Sequence, residues 1–259
     1  MIKYIESFQQ TFYMNKKYIS MNPRIDGFGA QYQTIIYYIL YAYHHNLEYA
    51  HENIKNMEHN YNNDVNFIKN MNEFMNIENN YMDKSNINSN DIIHIQQNDI
   101  HRIVEENIDV YLSDNPALNK IKKCFWENKN KNYYNNDKFN VAIHIRRPNI
   151  NDSRIDGTNT SDEYYLYVIR HIREKYKTKN IQFHIFSQGN IEIFKKYIFH
   201  DTIFHINEEL RSTFVGFVSA DILVLSRSSF SYIAAFISEG EIYYIDFWCK
   251  PHKNWILLQ

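Results

Sequence analysis

The sequence predicts an α/β protein made of two Rossmann-like lobes facing each other across a central cleft. Two observations carry that reading. From residue 139 onward, short apolar strands alternate strictly with helical segments, the pattern of a parallel sheet covered on both faces. Near the N-terminus, a strand, a glycine loop, a helix and a second strand follow in the order that opens a Rossmann unit. The boundary is expected near residue 135, giving lobes 1–135 and 136–259, with the tail "FWCKPHKNWILLQ" crossing back to the first lobe.

In the first lobe, "KYIS" (17–20) is read as a short strand and "RIDGFGA" (24–30) as a glycine loop. "QYQTIIYYILYAYHHN" (31–46) is then a helix and "LEYAH" (47–51) a strand. Residues 52–136 are mostly helical in pattern, with "DIIHIQ" (91–96) a strand. In the second lobe "FNVAIHI" (139–145) is β-rich. "SDEYYLYVIRHIREKY" (161–176) spaces Tyr165, Val168, Ile169 and Ile172 for one helix face behind a Ser-Asp-Glu start. Strands follow at 181–187, 202–207, 221–226 and 241–246, the last of the series. Helices lie between them at 190–198, 209–220 and 229–240, the final one ending at Gly240.

Composition narrows the function classes. The chain of 259 residues is 44% hydrophobic with a formal net charge of −2, so it has no global basic field and nucleic acid is not an expected partner. The apolar run "IIYYILYAY" is nine residues long, where a membrane span needs about 20. "MIKYIESFQQ" does not read as a signal peptide. Cys124 and Cys249 lack metal-ligand spacing and the histidines show no metal constellation, so a soluble, intracellular (cytoplasmic) protein without a metal site is expected.

Ligands of open parallel sheets bind beyond the carboxyl ends of the strands, and three such ends carry suitable chemistry. Arg146 and Arg147 follow the strand at 139–145 and are closed by Pro148; two adjacent guanidiniums call for an anion, either a ligand or acidic side chains such as those of Asp152 or Asp156, and alternation lets at most one of them enter the cleft head-on. In "SRSSFS" (226–231), Ser228 or Ser229 caps a helix whose first amides suit phosphate. In "FSQGN" (186–190), Gln188 or Asn190 stands where a base edge can be read. "DGFGAQYQ" (26–33) is not the full dinucleotide fingerprint, which disfavours a nicotinamide enzyme, and no phosphate-loop motif with its lysine is present.

"HIRR" (144–147), "ADILVLSRSSFSYIAAFIS" (220–238) and "RIDGFGAQYQTIIYYILYA" (24–42) together resemble motifs of the fucosyltransferase superfamily that includes the α1,2-, α1,6- and protein O-fucosyltransferases. The resemblance implies a GT-B fold and metal-independent, inverting transfer of fucose from GDP-fucose to a glycan or other hydroxyl acceptor, with the first lobe on the acceptor side and no cofactor beyond the donor. By position it implies that Arg146 holds the donor diphosphate with help from Arg147. It places Gly27, Phe28, Gly29, Gln31, His144, Ser187, Gln188, Ser228, Ser229 and Phe230 along the donor. Two departures stand out: "FSQG" replaces the usual Ser-Asp-Asp, and Ala30 the usual Asn. A general base is required for the acceptor hydroxyl, and Asp26, then Asp152 and Asp156, are the candidates. A non-catalytic nucleotide- or glycan-binding module of the same fold, or a transferase using another nucleotide sugar, is the alternative.

Overall fold

A computed structural model describes residues 16–22, 24–60, 63–147 and 160–258 and contains two parallel sheets. The first is short-stranded: β1 (Tyr18–Ile19), β2 (Glu48–His51), β3 (Met82–Asp83) and β4 (Ile92–Ile93), in the order β3-β2-β1-β4. The second holds β5 (Phe139–His144), β6 (Ile181–Ser187), β7 (Thr202–Ile206), β8 (Ile222–Val224), β9 (Glu241–Tyr244) and β10 (Ile256–Leu257). Its order is β10-β9-β8-β5-β6-β7, so the chain winds one way from β5 to β7 and the other way from β8 to β10. That reversal creates a topological switch point between β5 and β8, where such sheets open a ligand crevice. The expected α/β class, with a parallel sheet in each half of the chain, is therefore the observed one.

Helices complete the lobes. In the first they are α1 (Phe28–His44), α2 (Phe67–Met75), α3 (Gln97–Glu106), α4 (Ile108–Leu112) and α5 (Pro116–Trp126). In the second they are α6 (Asp162–Lys175), α7 (Leu210–Ser219) and α8 (Ser229–Ile237). Strand alternation sorts the second sheet into two faces. Val141, Ile143 and Ile145, with Phe183, Ile185 and Val224, pack under Tyr165, Val168, Ile169 and Ile172 of α6. Ala142, Phe186, Leu223 and Tyr244 instead join a core shared with the first lobe.

The centre of that shared core is α1, which buries 14 of its 17 residues, as expected of a helix apolar all round. Phe214 of α7 ties the lobes together: its ring lies 5.5 Å from Phe28, 5.9 Å from Phe74, 5.4 Å from Phe125 and 5.5 Å from Phe230. The tail touches both lobes as well. Lys253 N–H donates to Asp109 Oδ1 at 2.7 Å and His252 Nε2 lies 3.2 Å from Ser113 Oγ, before β10 pairs in parallel with β9.

Five elements depart from the sequence reading. The segment 190–198 is a 3₁₀ helix, Ile191–Tyr197, rather than an α-helix, and it buries Phe194 and Tyr197. Helix α1 starts at Phe28, inside the expected glycine loop, and α8 stops at Ile237 rather than at Gly240. Gly240 serves close packing instead: a Cβ there would meet the Ala220 carbonyl oxygen at 2.4 Å. The two-residue strands β3 and β10 were too short to show a period. Among the described residues no helix is long and apolar enough to cross a membrane.

Because the aromatic cluster around Phe214 spans both lobes, Phe214→Ala should remove about 3–5 kcal/mol of stability. In urea, far-ultraviolet circular dichroism and tryptophan fluorescence should shift together as one transition; separate transitions for the two signals would contradict a shared core.

Candidate functional site

A cleft of about 720 Å³ opens at the switch point and is lined from both lobes. Its floor is built by two helix starts. Helix α1 begins at Gly27, which supplies no side-chain cap for the first amides of the helix. Helix α8 begins at Ser228, whose Oγ accepts from the Phe230 N–H at 3.3 Å. The two starts touch. A Cβ on Gly29 would lie 2.5 Å from the Phe230 nitrogen and 2.6 Å from its Cα, so only glycine allows this approach of backbone to backbone.

Arg146 lines the same cleft while Arg147 does not, and strand parity decides which. Ala142 faces the shared core, and His144 and Arg146 follow on its side, with His144 Nδ1 2.8 Å from Ser226 Oγ. Val141, Ile143 and Ile145 face α6, and Arg147 follows them there. It meets Asp162 at the start of α6, donates to the Thr160 carbonyl at 3.0 Å and lies over the Phe194 ring. Tyr197 O–H and Lys196 hold the same carboxylate, at 2.7 and 3.2 Å. Burial alone would raise the Asp162 carboxyl, but the hydrogen bonds from Tyr197 and Lys196 and the charge of Arg147 outweigh it and hold the group below its ordinary range. Arg147 is thus held at the start of α6 and lies outside the cleft lining.

His144 is pushed down to about 3 by burial, with the Arg146 charge adding, and is neutral at physiological pH. Ser187 and Gln188 line the cleft but donate to backbone: the Ser187 hydroxyl to the Ile145 carbonyl and Gln188 Nε2 to the Arg147 carbonyl at 3.1 Å. They stitch the β6 end to the arginine loop. Gly27, Phe28, Gly29, Ser228, Ser229 and Phe230 also line the cleft. Gln31 lies outside it, buried, with Nε2 donating to the carbonyls of Asp26 and Asn56 at 2.8 Å each.

Asp26, first candidate for a base, is absent from the lining and ion-paired with Arg24, which ties it to the first lobe. Asp152 and Asp156 lie outside the described residues. The sequence reading missed Asn207, Glu208, Glu209 and Arg211 at the β7 end, Trp248 after β9, and His59, Asn60, Asp64 and Phe67 of the first lobe. The strand-end rule itself would have found the β7 group. The first-lobe group sits in an asparagine-rich stretch that reads as plain surface loop. Among the described residues no cluster of His, Cys, Asp and Glu is arranged to hold a metal ion.

No protein-family model matches the chain, and no curated protein matches it. Among solved structures the chain is similar to a crystal structure of POFUT1 in complex with GDP, with a TM-score of 0.32 and 14% sequence identity over 95% of this chain and 80% of that one.

The Arg147–Asp162 contact carries a pH signature. A depressed carboxyl contributes stability that is present above its unfolded value and lost as pH falls through its folded one. Asp162→Asn should therefore lower the melting temperature at neutral pH and shrink the loss of stability between about pH 5 and pH 2; an unchanged acid limb would show that the pair contributes nothing.

Proposed function

We propose that the protein is a glycosyltransferase that binds a nucleotide sugar with its diphosphate on the two helix starts and Arg146, and transfers the sugar to a hydroxyl acceptor held against the first lobe. One observation carries this reading: the starts of α1 and α8 abut at Gly29 and Phe230 in the cleft that Arg146 lines. Each helix start adds the positive end of its dipole, worth about 0.3–1 kcal/mol toward an anion, and an arginine–phosphate bond adds roughly 1.5–3 kcal/mol.

The carboxyl ends of β8, β5, β6 and β7 spread over roughly 14 Å at the usual strand spacing, which suits an extended ligand better than a single ion. In transfer from such a donor the departing diphosphate gains negative charge. Fixed amides and a guanidinium aimed at it stabilise the transition state more than the ground state. His144, neutral and held through Ser226, can meet a phosphate oxygen without adding a competing positive charge beside Arg146. The resemblance noted in the sequence favours GDP-fucose as donor and inversion at the sugar carbon.

The acceptor hydroxyl must lose a proton, and Asp64 is the carboxylate that the described part of the first lobe presents to the cleft. Its oxygens accept from the Asn66 N–H at 2.9 Å and from Asn70 Nδ2 at 3.3 Å, both neutral donors. Asp64 is accordingly the base in this scheme, in place of Asp26.

Calorimetry with GDP, GDP-fucose, UDP and UDP-glucose tests the reading, followed by assay of donor hydrolysis and transfer with and without a chelator. GDP should bind and GDP-fucose should turn over without added metal; binding without turnover would leave a nucleotide-binding module, and no binding of any nucleotide would refute the scheme. Arg146→Ala should weaken GDP about 10–100-fold, the loss of one charge-assisted bond, with little change in melting temperature. Asp64→Asn should leave GDP affinity intact and cut kcat about 100-fold or more; full activity in that variant would remove Asp64 from the base role.

A further inference from the structure

A chain of hydrogen bonds runs from the start of β5 to the cleft, and the direction of each link follows from the one before. Asn140 Nδ2 donates to the Lys138 carbonyl at 2.9 Å and to Asn136 Oδ1 at 3.0 Å, so Asn140 Oδ1 is the acceptor that faces His184 Nε2 at 3.1 Å. That ring nitrogen therefore carries hydrogen. His184 is neutral, pushed down to about 3 by burial, with the charges of His205 and Lys138 adding, so its Nδ1 presents a lone pair. His205 Nε2, 2.9 Å from that Nδ1, must donate to it.

His205 Nδ1 lies 2.7 Å from Glu208 Oε1, and Glu208 Oε2 accepts from the Tyr133 hydroxyl at 3.2 Å. With His205 Nε2 already a donor, a neutral ring would aim a lone pair at a carboxylate. The contact closes only when one further proton sits between the two groups. Imidazole is the stronger base, and the Tyr133 donor favours the ionised carboxylate, so the proton belongs on His205. The ring is held in place, stacked on Phe186 at 4.3 Å with an interplanar angle of 13°, and the charged or titratable groups around it are His184, Glu208 and Tyr133, with Lys138 acting through His184.

We propose that His205 is a positioning residue held as an imidazolium, which fixes Glu208 as an ionised acceptor for an N–H or O–H group of the nucleotide at the β7 end of the cleft. Glu208 lines the cleft and its strand lies two steps from β5, roughly 10 Å from the arginine loop, so it meets a different part of the ligand from the diphosphate floor. The identity of the ligand rests on the nucleotide-sugar reading; the protonation of His205 does not.

Histidine-selective ¹⁵N labelling of the full chain without ligand, read by long-range proton–nitrogen correlation at neutral pH, tests the protonation. Both nitrogens of His205 should be protonated and His184 should be the neutral Nε2–H tautomer; a neutral His205 with a bare Nδ1 would overturn the assignment. GDP titrations from about pH 6 to about pH 9 test the positioning. Wild-type affinity should be about tenfold higher with His205 doubly protonated than with it neutral, the difference of one charge-assisted hydrogen bond. His205→Gln should bind more weakly with a flatter pH profile, and comparing the two curves removes the titration of GDP itself. Identical pH profiles in wild type and variant would overturn the positioning role. Failure of GDP to bind at every pH would instead refute the transferase reading, and the ligand-free nitrogen spectrum would still decide the protonation of His205.

Discussion

The rest of the structure depends on one steric constraint, the absence of a side chain at Gly29. Without it the first turn of α1 could not lie within contact distance of the Phe230 backbone, and the starts of α1 and α8 would separate. That contact joins the lobes at the site itself. It also brings two sets of amides to one place, an arrangement neither lobe can make alone. The aromatic residues that flank it, Phe28, Phe214 and Phe230, make the approach part of the common core, so the shape of the cleft floor is tied to global stability.

Strand alternation then divides the labour between two adjacent arginines. A one-residue step moves a side chain from one face of the sheet to the other. Arg146 arrives at the cleft on the His144 side, while Arg147 arrives over α6 and meets Asp162. The like charges are thereby separated by the sheet rather than crowded at one ligand. The same parity sets His205, on β7, against His184 and Phe186 on β6, so the cleft is supported from behind by a polar network as well as by apolar packing.

Much of this was legible in the sequence, for reasons that differ by region. In the second lobe, strands such as "IQFHIFS" stand out because they are buried on both faces and bounded by turn residues, and helices such as 162–175 show a clean apolar stripe behind a capping serine. In the first lobe β1, β2 and β4 fall within the stretches read as strands, whereas the two-residue β3 carries too little period to read. Within the site, Arg146 and Ser228 follow from the strand-end rule, whereas the engagement of Asp26 by Arg24 and of Arg147 by Asp162 depends on tertiary placement that no local pattern encodes. Asp64 and Trp248 were invisible for the same reason: each becomes part of a cleft only once separate loops are brought together.

The most direct test of the central claim is a crystal structure of the full chain with GDP bound. The two phosphorus atoms should lie at the junction of α1 and α8, within hydrogen-bonding reach of the first-turn amides of both helices, with the Arg146 guanidinium on a phosphate oxygen. GDP seated elsewhere on the molecule, or in the cleft with its diphosphate away from the Gly29–Phe230 contact, would contradict the account.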